Sequence, residues 1–208
     1  ATTITVASVN DAPTIASADL SGSVDELLEA DEAEGATLSN SGAIVFADVD
    51  LSDSHTVDVA ANNADGETYY GALKAVISDT EGVGAGSVTW TYTVTDDDVN
   101  FLGATDSLTQ NYTVTVDDHN GGTVSQVVAI TLTGTNDAPT ITSADLAGSV
   151  DELLEADEAA DATLSDSGTI AFADVDLSDS HDVGVAANSA IGETYYGTLV
   201  AEVSEVAG

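Results

Sequence analysis

The chain repeats itself at a period that only a whole folding unit can fill. Asn-Asp-Ala-Pro-Thr-Ile begins at Asn10 and again at Asn136, 126 residues further on. Gly-Ser-Val-Asp-Glu-Leu-Leu-Glu-Ala-Asp, from Gly22 and from Gly148, keeps that shift. So do Ala-Asp-Val-Asp-Leu-Ser-Asp-Ser-His, from Ala47 and Ala173, and Gly-Glu-Thr-Tyr-Tyr-Gly, from Gly66 and Gly192. Solenoid units run to roughly 20–50 residues, whereas independently folding domains run to about 100–150. The repeat therefore predicts tandem domains, each with its own core.

Residues 1–9 (ATTITVASV) stand where 127–135 (VVAITLTGT) stand one unit later, and read as the closing strand of a preceding repeat. Residues 10–135 form one complete unit, and 136–208 the first part of a second, ending at the equivalent of Gly82. Counterparts of 83–135, which hold the strongest strand patterns, are missing from that second unit. The chain reads as cut from a longer array, and its second sandwich is expected to leave apolar faces and strand edges uncovered.

One Lys against 38 acidic residues gives a formal net charge of −37. Nucleic acid is excluded as a partner, because binding it requires phosphate-neutralising cations. Anionic membrane surfaces are excluded for the same reason. High charge often signals disorder, but 43% of the residues are hydrophobic and alternate regularly, so a core can form. There is no Cys, hence no disulfide and no thiol ligand for zinc. No apolar run is long enough to span a bilayer, so no membrane insertion is expected.

Val88, Trp90, Tyr92 and Val94 alternate with Thr89, Thr91 and Thr93; Tyr112, Val114 and Val116, and Val128, Ile130 and Leu132, show the same period of two. Ile44 and Phe46 alternate before one acidic turn, Val57 and Val59 after it. β-Branched and aromatic residues in short alternating segments, separated by polar turns, predict an all-β chain of tandem antiparallel immunoglobulin-like sandwiches. Trp90 reads as a core residue. Residues 25–33 (DELLEADEA) are the one stretch with helical propensity, either a single turn or an irregular edge.

The acids gather at segment ends. Asp48-Val49-Asp50-Leu51-Ser52-Asp53-Ser54-His55 recurs from Asp174 to His181, and alternating carboxylates in a turn can converge on one hard cation. The segment is not an EF-hand, since the glycine after the third acid is missing and Val59 stands where the closing Glu belongs. Further acidic turns occur at 96–98 (DDD) and 117–120 (DDHN), and Asn136-Asp137-Ala138-Pro139 adds two oxygen-bearing side chains. Any one such turn can equally be a solvated surface loop. Together they are harder to treat so, because almost no cationic side chain is available to pair with them.

Phe46 to His55 (FADVDLSDSH), Trp90-Thr-Tyr-Thr-Val, Phe101 to Thr115 (FLGATDSLTQNYTVT) and Ile130-Thr-Leu-Thr-Gly-Thr-Asn-Asp-Ala-Pro together resemble a VCBS repeat, the cadherin-like module of very large bacterial surface and secreted (RTX-type) adhesins. The resemblance covers the complete unit and the opening of the second. It implies tandem immunoglobulin-like domains with Ca²⁺ between them, an extracellular or cell-surface location, and often type I secretion. The acid-rich insertion at 27–35 departs from the pattern. The strand order of such a sandwich would put Asp48, Asp50 and Asp53 at the top beside Asn10 and Asp11, with Asp117 and its neighbour Asp118 also there. Asp96, Asp98 and Glu26 would lie at the bottom. By cadherin analogy one junction would gather Glu26, Asp96 and Asp98, the linker's Asn136 and Asp137, and Asp174 and Asp176 with Asp179 in the same turn.

The resulting expectation is a structural extender, rigidified by Ca²⁺, in an adhesin that supports cell adhesion or biofilm formation. Its partners would be neighbouring repeats of the same polypeptide, with any glycan or protein ligand bound elsewhere in the parent. Extracellular modules bind Ca²⁺ at about 10⁻⁴ to 10⁻³ M, so such a chain would stay loose before export and stiffen outside. The alternative is a calcium-dependent carbohydrate-binding, lectin-like module, with Tyr69-Tyr70 and Tyr195-Tyr196 as aromatic platforms. Against it, adjacent strand residues point to opposite faces, so one tyrosine of each pair should be core and the other surface. Catalysis is not expected, because the adjacent residues Asp53, Ser54 and His55 cannot adopt a triad geometry. His55 and His181 read as turn residues near a metal. Lys74 becomes Val200 in the second copy, so the array does not require a cation there.

Overall fold

The computed structural model describes residues 9–28, 35–63, 66–79, 82–154, 162–187, 194 and 196–204. The chain divides into two compact units, Ala1–Asp137 and Ala138–Gly208. The strand expected at 1–9 lies outside the described residues except for Val9. Among the described residues no helix is long and apolar enough to cross a membrane.

In the first unit, eight strands follow the alternating segments: β1 (Thr14–Ala18), β2 (Ser21–Asp25), β3 (Thr37–Ala47), β4 (Thr56–Ala61), β5 (Ala72–Asp79), β6 (Ala85–Thr95), β7 (Ser107–Asp117) and β8 (Thr123–Thr133). They form two four-stranded sheets, ordered β1-β3-β6-β5 and β2-β8-β7-β4. This is the two-layer order of an immunoglobulin-like sandwich. Ile44, Phe46, Val88 and Trp90 from one sheet meet Tyr112, Val114, Val128 and Ile130 from the other in a single core.

The opening strand is not continuous. β1 pairs antiparallel with β3, and β2 crosses to the other sheet to pair parallel with β8, so that sheet is mixed rather than purely antiparallel. The crossing at residues 19–20 is held from both sides, by Asp19 N donating to Ala43 O (2.8 Å) and Ala129 N to Leu20 O (2.9 Å). The Trp90 indole closes it by donating Nε1–H to Asp19 O at 2.8 Å. At Gly42 a Cβ would collide with carbons of its ring, while at Gly22 the nearest atoms to a Cβ would be Asn40 Oδ1 and Ile130 Cδ1, each at 2.9 Å. Burying the largest side chain at the crossing thus requires glycine at position 42 on β3.

Of the two expectations for 25–33, a helical turn or an irregular edge, the described residues show the irregular one. Asp25 ends β2, residues 26–28 carry no regular structure, and the rest lie outside the described residues. Pairing with β8 wins over local propensity, because Glu26 N continues the ladder to Thr133 O (2.9 Å).

In the second unit, β9 (Thr140–Ala144) and β10 (Ile170–Ala173) pair antiparallel. The register, Thr140↔Ala173 and Phe172↔Ile141, reproduces Thr14↔Ala47 and Phe46↔Ile15 of the first unit, with an irregularity at the corresponding place. Closely similar local sequence, differing at Ala16/Thr142 and Val45/Ala171, has produced the same local pairing. Ile141, Ile170 and Leu146 are exposed there.

Candidate metal centres

Three loops meet at the end of the first unit where the chain enters: residues 10–13, the β3–β4 turn and the β7–β8 turn. Asp48 follows the inward-facing Ile44 and Phe46 by the same step of two and is buried. Its Oδ1 accepts the Asp50 amide (2.8 Å), the ring-closing bond of an acidic turn, and its Oδ2 lies 3.1 Å from His55 Nε2. Asp118 likewise continues the inward parity of Tyr112, Val114 and Val116, and is fully buried. Its Oδ1 accepts the amides of Asn120 (2.7 Å) and Gly122 (2.8 Å), and its Oδ2 accepts Asn10 Nδ2–H at 3.0 Å. Burial pushes the Asp118 carboxyl up, but these donors outweigh it and hold it below the usual carboxylate range.

Carboxylate oxygens of Asp48, Asp53 and Asp118 lie within 4.8 Å of one another. Ca²⁺–oxygen bonds of about 2.3–2.6 Å place ligands on opposite sides of one ion up to about 5 Å apart, so this spacing fits a single coordination shell. The donor set fits as well. Among the described residues Asp53 Oδ2 is buried without a hydrogen-bond partner, and a buried oxygen of that kind ordinarily has one.

The remaining candidates divide. Asp50 is not among the converging carboxylates; its Oδ2 accepts the Asp11 amide at 2.7 Å, and Asp11 itself is exposed and contributes its backbone. Asn10 contributes the donor to Asp118. Asp117 is outside the group: its carboxylate turns away, accepts the His119 amide (2.6 Å) and is half-exposed. The acid that does converge is Asp118, the residue after it. Alternation along β7 carries that signal, since an even-numbered inward face must continue to 118.

His55 is buried between two carboxylates, with Nδ1 2.8 Å from Asp79 Oδ2 and Nε2 3.1 Å from Asp48 Oδ2. Burial would lower its pKa, but bonds to Asp79 and Asp48 raise it above the ordinary imidazole value. These two carboxylates favour the protonated form of His55, in a chain whose only Lys or Arg is Lys74 on β5. Its ring packs 4.8 Å from that of Phe46. Neither partner of His55 is Ser54, so no triad is assembled there.

At the opposite end of the unit, Glu26 and Asp96 are buried. Glu26 Oε2 accepts the Thr135 amide (2.8 Å), and Thr135 Oγ1 donates to Glu26 O (2.8 Å). Asp96 Oδ1 accepts the Leu27 amide (3.0 Å), while its Oδ2 is buried with no hydrogen-bond partner among the described residues. Carboxylate oxygens of Glu26 and Asp137 lie within 4.8 Å of each other. Asn136 donates Nδ2–H to Asp137 O at 2.7 Å. Asp98 is exposed and accepts the Thr95 hydroxyl, so it stands apart from these buried acids.

The second unit repeats the first turn. Asp174 Oδ1 accepts the Asp176 amide (3.0 Å), its Oδ2 lies 2.8 Å from His181 Nε2, and the Asp179 amide donates to Asp176 O (3.2 Å). Burial raises the Asp174 carboxyl, but His181 and the backbone amides outweigh it and lower it overall.

The tyrosine pair does not divide between core and surface. Tyr69 and Tyr70 sit in an irregular segment before β5, and both pack against the core. Tyr69 Oη donates to Asn111 O and accepts Asn111 N–H, each at 3.1 Å. Tyr70 N donates to Gln110 Oε1 (2.8 Å), and Tyr70 O accepts from Tyr92 Oη (2.6 Å) and Gln110 Nε2 (3.1 Å). Two-face alternation applies only within a strand, and this segment is not one. Both rings are committed to the sandwich rather than presented as a sugar platform. Tyr195 lies outside the described residues.

No protein-family model matches the chain, and no curated protein matches it. Among solved structures, it is similar to cadherin-like domains 1 to 4 of zebrafish RET, with 14% identity and a TM-score of 0.33. That likeness covers 64% of this chain and 28% of the RET chain, so the chain spans less than a third of that protein's length. It is also similar to AggA, the major subunit of aggregative adherence fimbriae type I from Escherichia coli, with 14% identity, a TM-score of 0.31, and 61% and 98% covered.

Proposed function

We propose that this chain is a structural extender, a repeat of a large bacterial surface or secreted adhesin that Ca²⁺ stiffens. The observation that supports it most is the entry pole of the first unit, where Asp48, Asp53 and Asp118 converge within 4.8 Å and Asp53 Oδ2 has no hydrogen-bond partner. Hard, oxygen-only donors at this spacing suit Ca²⁺; Mg²⁺ would demand a tighter octahedron with ligands at about 2.0–2.1 Å. Asp48, Asp53 and Asp118 would hold the ion, with Asp50 completing the turn. Glu26, Asp96 and Asp137 would serve the other pole, and Asp174, Asp176 and Asp179 the corresponding turn of the next repeat.

The cation would act on stiffness, not on chemistry. Bare carboxylates this close repel, so the loops that carry them are less firmly held together until a divalent ion offsets the charge. A repeat with such acids at both ends can be joined firmly to its neighbours in the presence of Ca²⁺ and loosely without it. That property suits export of a loose chain by type I secretion and display of a stiff one outside, in support of adhesion or biofilm formation.

Thermal unfolding of the whole chain in EDTA, in millimolar Mg²⁺ and in millimolar Ca²⁺ tests the proposal. A rise in Tm specific to Ca²⁺ is expected. Equal melting in all three would make the poles solvated acidic surface and sink it.

A further inference from the structure

The β7–β8 turn holds the chain's single Asn–Gly pair, Asn120–Gly121. Such pairs are favoured in hairpin turns for their backbone freedom, and that accounts for part of what is seen: His119 has φ 62° and Gly121 φ 103°. It does not account for the surroundings of the Asn120 side chain. Asn120 and Gly121 are both exposed. Among the described residues the Asn120 carboxamide is tethered only by a long bond from Nδ2 to Asp118 O (3.2 Å). The amides on either side, of Asn120 and Gly122, are spent on Asp118 Oδ1, whereas no hydrogen bond among the described residues engages the Gly121 N–H. A nitrogen with no Cβ beside it and no acceptor to hold its proton thus follows an exposed, weakly held carboxamide.

We propose that Asn120 is a site of spontaneous deamidation that covalently ages the acidic pole. The Gly121 nitrogen gives up its proton to solvent base and attacks Asn120 Cγ. The new N–Cγ bond closes a five-membered succinimide, the Cγ–Nδ2 bond breaks, and ammonia leaves with a proton from water. Water then opens the ring at either carbonyl. Opening at the Gly121 nitrogen–Cγ bond gives aspartate; opening at the main-chain carbonyl gives isoaspartate, whose backbone runs through the side-chain carbon. Water is the only co-reactant.

Both products change the pole. Each adds a carboxylate beside Asp117 and Asp118, where three acids already converge. Isoaspartate also lengthens the backbone between the two amides that bracket Asp118 Oδ1 at 2.7 and 2.8 Å, so both bonds cannot persist. The other asparagines of the poles are shielded, since Asn10 and Asn136 are each followed by Asp, whose side chain hinders attack by its nitrogen. The modification itself needs no cation; only its consequence for Ca²⁺ affinity rests on the function proposed above.

The test is prolonged incubation of the full chain at mildly alkaline pH, in EDTA and in Ca²⁺, followed by peptide mass mapping and enzymatic isoaspartate labelling. Conversion at Asn120 in EDTA is expected to outpace that at Asn10 and Asn136 by an order of magnitude or more. Conversion no faster than at Asn136 would overturn the proposal, because the turn would then be holding the two atoms apart. Asn120→Gln should abolish the signal at this position while leaving the Tm in place, since glutamine must close a slower six-membered ring. Gly121→Ala is the weaker control, being strained at φ 103°. If Asn120 converts in EDTA and Ca²⁺ slows it, the proposal and the cation reading both stand. If it converts equally fast in both, the proposal stands and the cation reading alone loses support.

Discussion

Neutralising one of three converging carboxylates has opposite consequences with and without a cation, and Asp53 is the side chain that exposes this. Its Oδ2 has no hydrogen bond to lose. Asp53→Asn should therefore raise stability by roughly 1 kcal/mol in EDTA, by relieving repulsion at close range. In millimolar Ca²⁺ it should lower both Tm and affinity, since a ligand has been weakened. Thermal melts of the variant in both conditions decide it: a shift of the same sign in each would count against the pole as a cation site. Tyr112 gives a separate prediction. Its hydroxyl is buried with no hydrogen-bond partner, and burial, with Tyr69 adding to it, pushes the pKa from 10.0 up to about 12. A raised folded pKa means that the neutral form is favoured in the fold. The associated stability is complete below about pH 10 and is lost as pH rises toward about 12. Tyr112→Phe should be neutral or stabilising by up to about 1 kcal/mol at pH 7, and should lessen alkaline destabilisation in urea titrations run at rising pH.

At the scale of strands, the crossing between β1 and β2 has no room for an added methyl at Gly42. Trp90 covers Gly22 and Gly42, and a Cβ at Gly42 would overlap the six-membered part of its ring. Gly42→Ala should cost about 1–3 kcal/mol, the usual range for overpacking a filled core. Fluorescence of Trp90, the single tryptophan, reports the loss as a lower urea midpoint. Strand identity was legible in sequence because β3, β6, β7 and β8 alternate over most of their length. The division of the opening strand was not, because nothing in Thr14–Asp25 marks which sheet each half joins. That choice depends on β8, more than 100 residues further along the chain. The irregular course of Tyr69-Tyr70 escaped for the same reason: Gln110 and Asn111 on β7 fix it.

For the molecule as a whole, a net charge of −37 makes screening the competing explanation for any stabilisation by salt. Monovalent salt should raise Tm gradually by screening surface charge, whereas site binding should saturate at millimolar Ca²⁺ and persist in high salt. Hydrogen exchange separates the two: Ca²⁺ should slow the Asn120 and Gly122 amides on Asp118 much more than amides of the exposed edge strand β5. General slowing would indicate screening alone.

The sequence by itself determined the repeat, the two-layer all-β architecture and the gathering of acids in turns, because periodicity and turn chemistry are local properties. It also carried the inward parity that selects Asp118 over Asp117, a signal available one step beyond Val116. The strand order expected of the sandwich put these turns at one pole; only the tertiary structure decided that carboxylates of Asp48, Asp53 and Asp118 converge there, that His55 stands between Asp48 and Asp79, and that Asp98 stays apart. Those outcomes depend on how distant loops meet once two sheets close on a common core, and side-chain convergence across the chain leaves no mark on local pattern.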